Sequence, residues 1–264
     1  MSASHVLDQL VSTVRAVAAT EVMPRFMRVG SSRKDDGTLF TEADLEAQRA
    51  LERELPKIVP CPVLGEEMTA AEQEALWEGH EQLWVIDPID GTTNFVHGLP
   101  YFAISVALVR AGRPVLGVVY NPVADECFTA ELGQGAYLNG QRLPLKRHVP
   151  AMSEAVAGVE VKWLGGKLPQ RLAAIAPFGS QRNFGASTLD WCYIAAGRFD
   201  LYVHGGQRLW DYAAGCLVLK EAGGHMTSLY HDDYWADDVW QRSVVAALDA
   251  GLFGQWTRWV KCNL

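Results

Sequence analysis

An apolar run that ends in two carboxylates constrains the fold of this chain more than any other feature. The run extends from Leu83 to Ile86, and the segment DPIDGTT follows it at residues 87–93. Apolar residues directly before a proline and a glycine are typical of a buried strand that ends in a turn. We therefore place Asp87 at the carboxyl end of a strand, where α/β proteins bind their ligands. Because burying an unpaired charge is unfavourable, Asp87 and Asp90 require a positively charged partner.

The residues after the two aspartates suggest the nature of that partner. Gly91 allows the backbone to come close to a ligand, and Thr92-Thr93-Asn94 is expected to start a short helix, whose free N–H groups suit a phosphate. Two carboxylates beside an anion need a cation between them and the anion. Ligands that are all oxygens favour Mg²⁺ or a similar hard ion over zinc. The seven histidines are scattered without H-E-x-x-H spacing, which agrees with that choice.

Each acid taken singly also has a purely structural explanation. Asp87 or Asp90 alone would serve to form a turn and to cap the helix after it. Asp44 completes a capping box at the start of a helix, and Asp211 is favourable in the first turn of a helix. Glu66 is explained as one more surface glutamate. Taken together with the Gly-Thr-Thr step, the acids favour a metal site.

The charge distribution narrows the choice of partners. The net charge of −8 argues against nucleic-acid binding through a basic surface. Between Lys57 and Arg110 the chain has no lysine or arginine. The acids of this window are Glu66, Glu67, Glu72, Glu74, Glu78, Glu81, Asp87 and Asp90. The four glutamates after residue 70 fit a solvated helix, whereas Asp87 and Asp90 end a strand.

Composition and terminal features predict a cytoplasmic globular protein. A chain of 264 residues is one large domain or two intimate ones. No apolar stretch approaches the roughly 20 residues that a membrane span requires. The N-terminus, MSASH, lacks the basic and apolar regions of a secretion signal. The five cysteines are widely spaced with no C-x-x-C pair, and we expect them to be reduced thiols.

The first half of the chain mixes helices with successive strands. Apolar spacing predicts a helix over 4–28, and capping boxes at Thr41 and Thr69 open two more helices. The turn chemistry of Lys34 to Gly37 separates the first two, and Asn139-Gly140 predicts a hairpin. The expected strands are 83–87, 103–110, 115–120 and 126–130.

Beyond Pro150 the predicted elements alternate between strand and helix. Strands are expected at 155–162, 200–204 and 243–248, and helices at 168–176, 187–197, 210–222 and 250–262. We therefore divide the chain into an α+β half, residues 1–147, with most of the acids of the predicted metal site, and an α/β half, residues 148–264, with Asp211.

These motifs, taken in order, resemble the inositol monophosphatase family of Mg²⁺-dependent, lithium-sensitive phosphatases. The most specific part is DPIDGTTNF at 87–95 combined with WDYAAG at 210–215. The other matching segments are Lys34, Thr41 to Asp44, GEE at 65–67, GLP at 98–100, Gly133 to Gly140, Gly185, the helix at 191–199 and EAGG at 221–224. The resemblance covers nearly the whole chain.

The resemblance implies two to three Mg²⁺ ions, with Mn²⁺ as a potential substitute. Glu66, Asp87 and the backbone carbonyl of Ile89 would hold the first ion. Asp87, Asp90 and Asp211 would hold the second, and Glu66 would help to hold a third, weaker one.

The resemblance also assigns the residues around the attacking water and the substrate. Thr92 and Asp44, with Glu66, would orient and help to deprotonate the water, so that no covalent protein nucleophile is needed. The backbone amides of Gly91 and Thr92 would receive the phosphate. The remaining substrate-binding candidates are Lys34, Gly185, Ala186, Ser187 and His204.

The fold implied by the resemblance is an α/β (α+β) protein, a layered α-β-α-β-α sandwich that is usually a homodimer. The implied substrate is a small polyol or sugar phosphate similar to inositol 1-phosphate. Members that prefer inositol carry an acid seven positions before the aspartate of Trp-Asp, where this chain has His204. Ser187 likewise replaces a smaller residue. Histidinol phosphate, fructose 1,6-bisphosphate and nucleotide 3′-phosphates therefore stay open as substrates, and a solvent-facing His204 without a role is the structural alternative.

Two other functional classes compete with this interpretation. A haloacid-dehalogenase-type phosphatase uses an aspartyl nucleophile in D-x-D-G-T, but the aspartates here have one more residue between them. A metal-stabilised regulatory or binding protein would require a broken catalytic set, and the complete set of acids and Thr92 is present. We expect no nucleic-acid or membrane partner.

Overall fold

The computed structural model describes residues 3–28, 30–33, 39–146 and 148–264. The helices are α1 (Ala3–Val17), α2 (Glu42–Ile58), α3 (Ala70–Gly79), α4 (Thr92–His97), α5 (Leu168–Ile175), α6 (Ser187–Ala195), α7 (Leu209–Glu221) and α8 (Ala250–Cys262). The strands are β1 (Ser31–Arg33), β2 (Leu39–Thr41), β3 (Val63–Gly65), β4 (Gln82–Asp90), β5 (Ala103–Arg110), β6 (Arg113–Asn121), β7 (Glu126–Glu131), β8 (Gly135–Leu138), β9 (Gln141–Arg142), β10 (Val156–Glu160), β11 (Ser180–Arg182), β12 (Leu201–Gln207), β13 (His225–Thr227) and β14 (Arg242–Ala247).

The strands after the β1–β2 hairpin form two sheets. The larger has seven strands in the order β3-β4-β5-β6-β7-β8-β9, in which β3 and β4 are parallel and the other pairs are antiparallel. The smaller has five strands in the order β11-β10-β12-β14-β13. Its first three strands are parallel, and β14 runs antiparallel to both of its neighbours.

Three apolar cores separate five layers of secondary structure. Leu10 of α1 and Leu51 of α2 belong to the core on one face of the seven-stranded sheet. Trp191 of α6 and Leu217 of α7 belong to a second core, between the two sheets. Trp256 of α8 belongs to a third core, on the outer face of the five-stranded sheet. The layers are therefore helix, sheet, helix, sheet, helix, and the predicted α-β-α-β-α sandwich is confirmed.

The middle helices connect the two halves of the sequence. All seven strands of the larger sheet precede residue 147, and all five strands of the smaller sheet follow residue 148. Helices α6 and α7 come from the second half, yet they also pack on strands of the first. The division of the chain at residues 147 and 148 stays a proposal.

Several element boundaries differ from those expected from the sequence. The first helix is α-helical to Val17 and continues as a π-helix over Ala18–Val22, whereas helix was expected as far as residue 28. Strand β4 continues through the predicted turn to Asp90. The three-residue strands β3, β11 and β13 were not predicted, because they are too short for an alternating pattern. The predicted turn at Lys34 to Gly37 lies outside the described residues.

Other expectations agree with the structure. Thr41 and Thr69 each form the predicted capping box, and Asn139-Gly140 connects β8 to β9 with both residues at positive φ. All five cysteines lie in the described part of the chain and form no disulfide. Among the described residues, every helix is too short or too polar to cross a bilayer.

Candidate active site

An irregularity in β4 brings Asp87 and Asp90 to the same face of the sheet. Asp87 pairs with Ser105 and Asp90 pairs with Ala103, so β4 has one residue more than β5 between the two pairs. Residues three apart on a regular strand point to opposite faces, because side chains alternate. The extra residue of a bulge restores the common face. The backbone N–H of Ile89 donates a hydrogen bond to Asp87 Oδ1 at 3.0 Å, which fixes the carboxylate within the bulge.

Asp211 reaches the same place from the other half of the chain. It lies in the first turn of α7, and its Oδ2 accepts a hydrogen bond from the backbone N–H of Arg208 at 2.8 Å. One carboxylate oxygen from each of Asp87, Asp90 and Asp211 lies within 4.8 Å of the others. This spacing could accommodate a metal ion among the three oxygens.

The electrostatics of these acids favour a bound cation. Burial, followed by the charge of Glu66, raises the pKa of Asp87 well above its usual value. Burial raises the pKa of Asp90 to about 6, although hydrogen bonds from Thr188 act in the opposite direction. Burial and the charge of Asp90 raise the pKa of Asp211. A cation among the oxygens would offset both burial and repulsion, and a set of carboxylates suits a hard divalent ion.

Strand pairing places Glu66 beside Asp87. Strands β3 and β4 are parallel with Gly65 opposite Ile86, and the next residue along the chain after each is an acid, Glu66 after the end of β3 and Asp87 within β4. Gln73 Nε2 donates hydrogen bonds to the carbonyls of Gly65 (2.9 Å) and Glu66 (3.3 Å), which hold the turn in place.

A glutamine of α2 supports the same turn and requires a glycine next to it. Gln48 Oε1 accepts a hydrogen bond from the backbone N–H of Glu67 at 2.9 Å. A Cβ atom at Gly65 would lie 2.4 Å from Gln48 Oε1. Any larger residue at position 65 would therefore displace the glutamine that positions the acidic turn.

Asp44 combines a structural and a site contact. Its Oδ2 accepts hydrogen bonds from the backbone N–H and from Oγ1 of Thr41, both at 2.7 Å. Its Oδ1 faces Thr92 Oγ1 at 3.4 Å, which is long for a hydroxyl donor. The Thr92 hydroxyl also donates to the carbonyl of Ile89 at 3.1 Å. The capping explanation of Asp44 is thus correct but incomplete, because the same carboxylate also approaches the acidic cluster.

The predicted phosphate turn packs against the segment that precedes α6. Gly91 has a φ of 88° and caps α4, and a Cβ atom there would lie 3.1 Å from both Ala186 Cβ and the Tyr101 carbonyl. Asn94 Nδ2 donates to the carbonyls of Tyr101 (2.7 Å) and Phe184 (2.6 Å) and so ties the two segments together. The structure therefore brings Gly185 and Ala186 next to Gly91.

His204 is buried rather than solvent-facing. It lies on β12, opposite Glu160 of β10, with 8% of its surface exposed. Its Nδ1 accepts a hydrogen bond from the backbone N–H of Gly206 at 3.1 Å, and burial lowers its pKa to about 3. The imidazole is therefore neutral near pH 7, with its proton on Nε2. The other predicted substrate residue, Lys34, lies outside the described residues.

Thr188 contacts the acidic cluster, although it was not among the predicted site residues. Its backbone N–H and its hydroxyl both donate to Asp90 Oδ2, at 2.7 and 2.6 Å. Thr188 is the second residue of α6, so a hydroxyl residue at a predicted helix start was the available signal. Gln48 and Gln73, which hold the acidic turn, carried no signal at all.

Comparison with known proteins agrees with this geometry. The sequence profile of the inositol monophosphatase family matches residues 3–258. The chain belongs to the inositol monophosphatase family. An inositol-1-monophosphatase of Rhizobium meliloti is 43% identical over 202 residues, which are 74% of each chain. A fructose-1,6-bisphosphatase/inositol-1-monophosphatase of Thermotoga maritima is 38% identical over 228 residues, 84% of each chain.

A solved structure shares the inositol monophosphatase fold with this chain. The extragenic suppressor protein suhB of Bartonella henselae superimposes with a TM-score of 0.84 at 29% identity. The match covers 98% of this chain and 100% of that one. The protein is therefore a phosphatase that acts on small phosphorylated substrates. The family is generally metal-dependent, which agrees with the cluster of Asp87, Asp90 and Asp211.

Proposed function

We propose that the protein is a Mg²⁺-dependent phosphomonoesterase that hydrolyses a small polyol or sugar phosphate, such as inositol 1-phosphate. The observation that carries this proposal is the group of three carboxylates, two of them buried, whose oxygens lie within 4.8 Å of one another. The names of the Rhizobium and Thermotoga relatives support the substrate class. Fructose 1,6-bisphosphate, histidinol phosphate and nucleotide 3′-phosphates are the alternative substrates.

The carboxylates divide into two overlapping sets of metal ligands. Glu66, Asp87 and the carbonyl of Ile89 would hold one Mg²⁺, and Asp87, Asp90 and Asp211 would hold another. Glu66 would contribute to a third site, and Mn²⁺ would substitute for Mg²⁺. When bound, these ions would lower the pKa of water and neutralise charge on the phosphoryl group and the leaving oxygen.

The remaining residues act on the water and the phosphate. The Thr92 hydroxyl lies 3.1 Å from the Ile89 carbonyl and 3.4 Å from Asp44 Oδ1, and it would accept the water's proton as its own proton passes to Asp44. Glu66 would assist in this deprotonation. The amides of Gly91 and Thr92, at the start of α4, would hold the phosphoryl oxygens.

We further propose a cytoplasmic homodimer that is inhibited by lithium. These features come from the resemblance to the family, and the oligomeric state and the inhibition each have a direct test. Sedimentation velocity would give the oligomeric state, and a lithium titration of phosphate release would give the inhibition.

The test is phosphate release from a panel of phosphomonoesters, with Mg²⁺ and with EDTA. The panel contains inositol 1-phosphate, histidinol phosphate, fructose 1,6-bisphosphate and adenosine 3′,5′-bisphosphate. Asp90→Asn removes one predicted ligand with little change in shape, and Asp8→Asn on the exposed surface of α1 is the matched control. We expect Mg²⁺-dependent turnover that Asp8→Asn retains and Asp90→Asn loses. A folded wild-type protein that binds Mg²⁺ by calorimetry but releases no phosphate from any of these substrates would contradict the proposal.

A further inference from the structure

Glu160 and His204 form a polar pair at the carboxyl edge of the smaller sheet. They are directly opposite each other on the parallel strands β10 and β12. Neighbours on parallel strands point to the same face of a sheet. Val244, which pairs with His204 on the other side, and Tyr202, two residues before it, belong to the core that contains α6 and α7. Glu160 and His204 therefore face the middle layer, whose helices begin at the acidic cluster.

Fixed donors hold the carboxylate of Glu160. Its Oε1 accepts a hydrogen bond from the backbone N–H of Lys162 at 2.7 Å, and its Oε2 accepts one from Asn183 Nδ2 at 3.0 Å. Asn183 precedes Gly185 by two residues, and the segment from Gly185 packs beside Gly91. Glu160 is only partly buried, so its carboxylate stays in contact with solvent.

The pair offers complementary hydrogen-bonding groups. His204 Nδ1 already accepts from the Gly206 amide, so the ring presents an N–H donor at Nε2. Each oxygen of Glu160 has one partner and retains a second lone pair. A donor and a charged acceptor side by side suit hydroxyl groups on neighbouring carbons. The same carboxylate repels a second phosphate group.

We propose that Glu160 is a specificity-determining residue that accepts hydrogen bonds from hydroxyl groups of the substrate's leaving group, while His204 donates to them. This inference rests on the proposed phosphomonoesterase function and specifies its substrate class. This arrangement favours a polyol monophosphate over a sugar bisphosphate. Glu160 and His204 bind the hydroxyl groups of the polyol, and the negative charge of Glu160 repels the second phosphate group of the bisphosphate.

The test compares three substrates in Glu160→Gln and Glu160→Ala. Inositol 1-phosphate has ring hydroxyls, fructose 1,6-bisphosphate has a second phosphate, and 4-nitrophenyl phosphate has neither. Because a hydrogen bond to a charged group contributes about 1.5–3 kcal/mol, we expect kcat/KM for inositol 1-phosphate to fall roughly 10- to 100-fold in Glu160→Ala, mainly through KM. Glu160→Gln keeps an acceptor for Lys162 but removes the charge, so it should raise kcat/KM for fructose 1,6-bisphosphate. Activity on 4-nitrophenyl phosphate should not change in either variant.

Matched controls separate recognition from structure. Glu74→Gln, on the exposed surface of α3, should leave all three activities and the preference order unchanged. An equal loss on all three substrates in the Glu160 variants would overturn the proposal, because it would indicate a distorted site. Unchanged kinetics on inositol 1-phosphate would overturn it as well. Wild-type protein without Mg²⁺-dependent phosphate release would overturn the proposed function itself, and this inference with it.

Discussion

Two regions of the molecule bury charge in opposite ways. In the acidic cluster, Asp87 and Asp90 are buried beside other acids, and burial and repulsion together raise their pKa values. Near the start of β14, Arg242 is also buried, with 4% of its surface exposed. Its guanidinium carbon lies 4.8 Å from the centre of the Tyr212 ring, 5.1 Å from that of Tyr234 and 5.0 Å from that of Trp235.

The arginine is surrounded by groups that stabilise its charge, whereas the acids have other acids as neighbours. Arg242 Nη2 donates to the Asp237 carbonyl at 2.9 Å, and its Nε and Nη1 have no hydrogen-bond partner among the described residues. The faces of the surrounding aromatic rings attract the positive charge instead. Among the described residues, the donors to these acids include Thr188, the Ile89 amide and the backbone N–H of Arg208. A cation among these carboxylates would offset both burial and repulsion, which agrees with the metal dependence that is general in the family.

We expect the largest effects when a buried charge is removed. The change in the free energy of unfolding should have opposite signs in the two regions. Asp87→Asn retains the oxygen that accepts from the Ile89 amide but removes a negative charge from the cluster. We expect kcat/KM to fall about a thousandfold, because phosphoryl charge loses its stabilisation. The free energy of unfolding of the metal-free protein should rise in the same variant, because repulsion decreases. Phosphate release and urea unfolding in EDTA measure the two effects, and a less stable metal-free variant would contradict our account.

The acidic cluster should also give the metal-free protein an unusual pH dependence. A carboxyl whose pKa is raised on folding binds protons more tightly in the native state, so its contribution to stability is lost as pH rises. For Asp90, with a pKa of about 6 against 3.8, the loss falls between about pH 4 and 7 and amounts to about 3 kcal/mol. Urea unfolding of wild type and Asp90→Asn in EDTA should show a steeper decline for wild type. The difference in slope between the two proteins should shrink when Mg²⁺ is added. Equal slopes in EDTA would contradict the predicted contribution of Asp90.

Replacing the buried arginine should destabilise the protein. Arg242→Met fills similar space but loses the attraction to three rings and the hydrogen bond to Asp237, and we expect a loss of about 2 kcal/mol. Arg53→Met, on the exposed side of α2, should change the unfolding free energy by less than about 0.5 kcal/mol. Urea unfolding with saturating Mg²⁺ compares the two variants. If Arg242→Met is as stable as wild type, the rings do not compensate the charge as we infer.

The smallest effect concerns two capping boxes that look alike in sequence. Thr69→Ala removes an exposed cap of α3 and should cost about 1 kcal/mol without changing kcat. Thr41→Ala should cost a similar amount and also lower kcat, because Asp44 Oδ2 loses one of its two donors. Thermal unfolding and steady-state kinetics distinguish the two. Equal kcat values for the two variants would indicate that Asp44 takes no part in the reaction.

Local patterns were sufficient for much of the fold and part of the site. Capping boxes located the starts of α2 and α3, because they depend on residues only three positions apart. The alternating and helical patterns placed β5, α5 and α8 nearly to the residue. The order of the five layers came from the family resemblance and not from these patterns. Short strands such as β3 were missed, although β3 positions Glu66, because three residues carry no measurable period.

The sequence by itself determined which residues we propose to carry the chemistry: the aspartates after a buried strand, the glycine and threonine that follow them, and the acid of Trp-Asp. Only the tertiary structure decided how they meet. The bulge in β4 places Asp87 and Asp90 on one face, and α7 brings Asp211 to them from the other half of the chain. Thr188 and Glu160 acquire their positions from the same packing. The physical reason is that residue type and short spacing are local, whereas strand register and the docking of helices between sheets depend on contacts between distant parts of the chain.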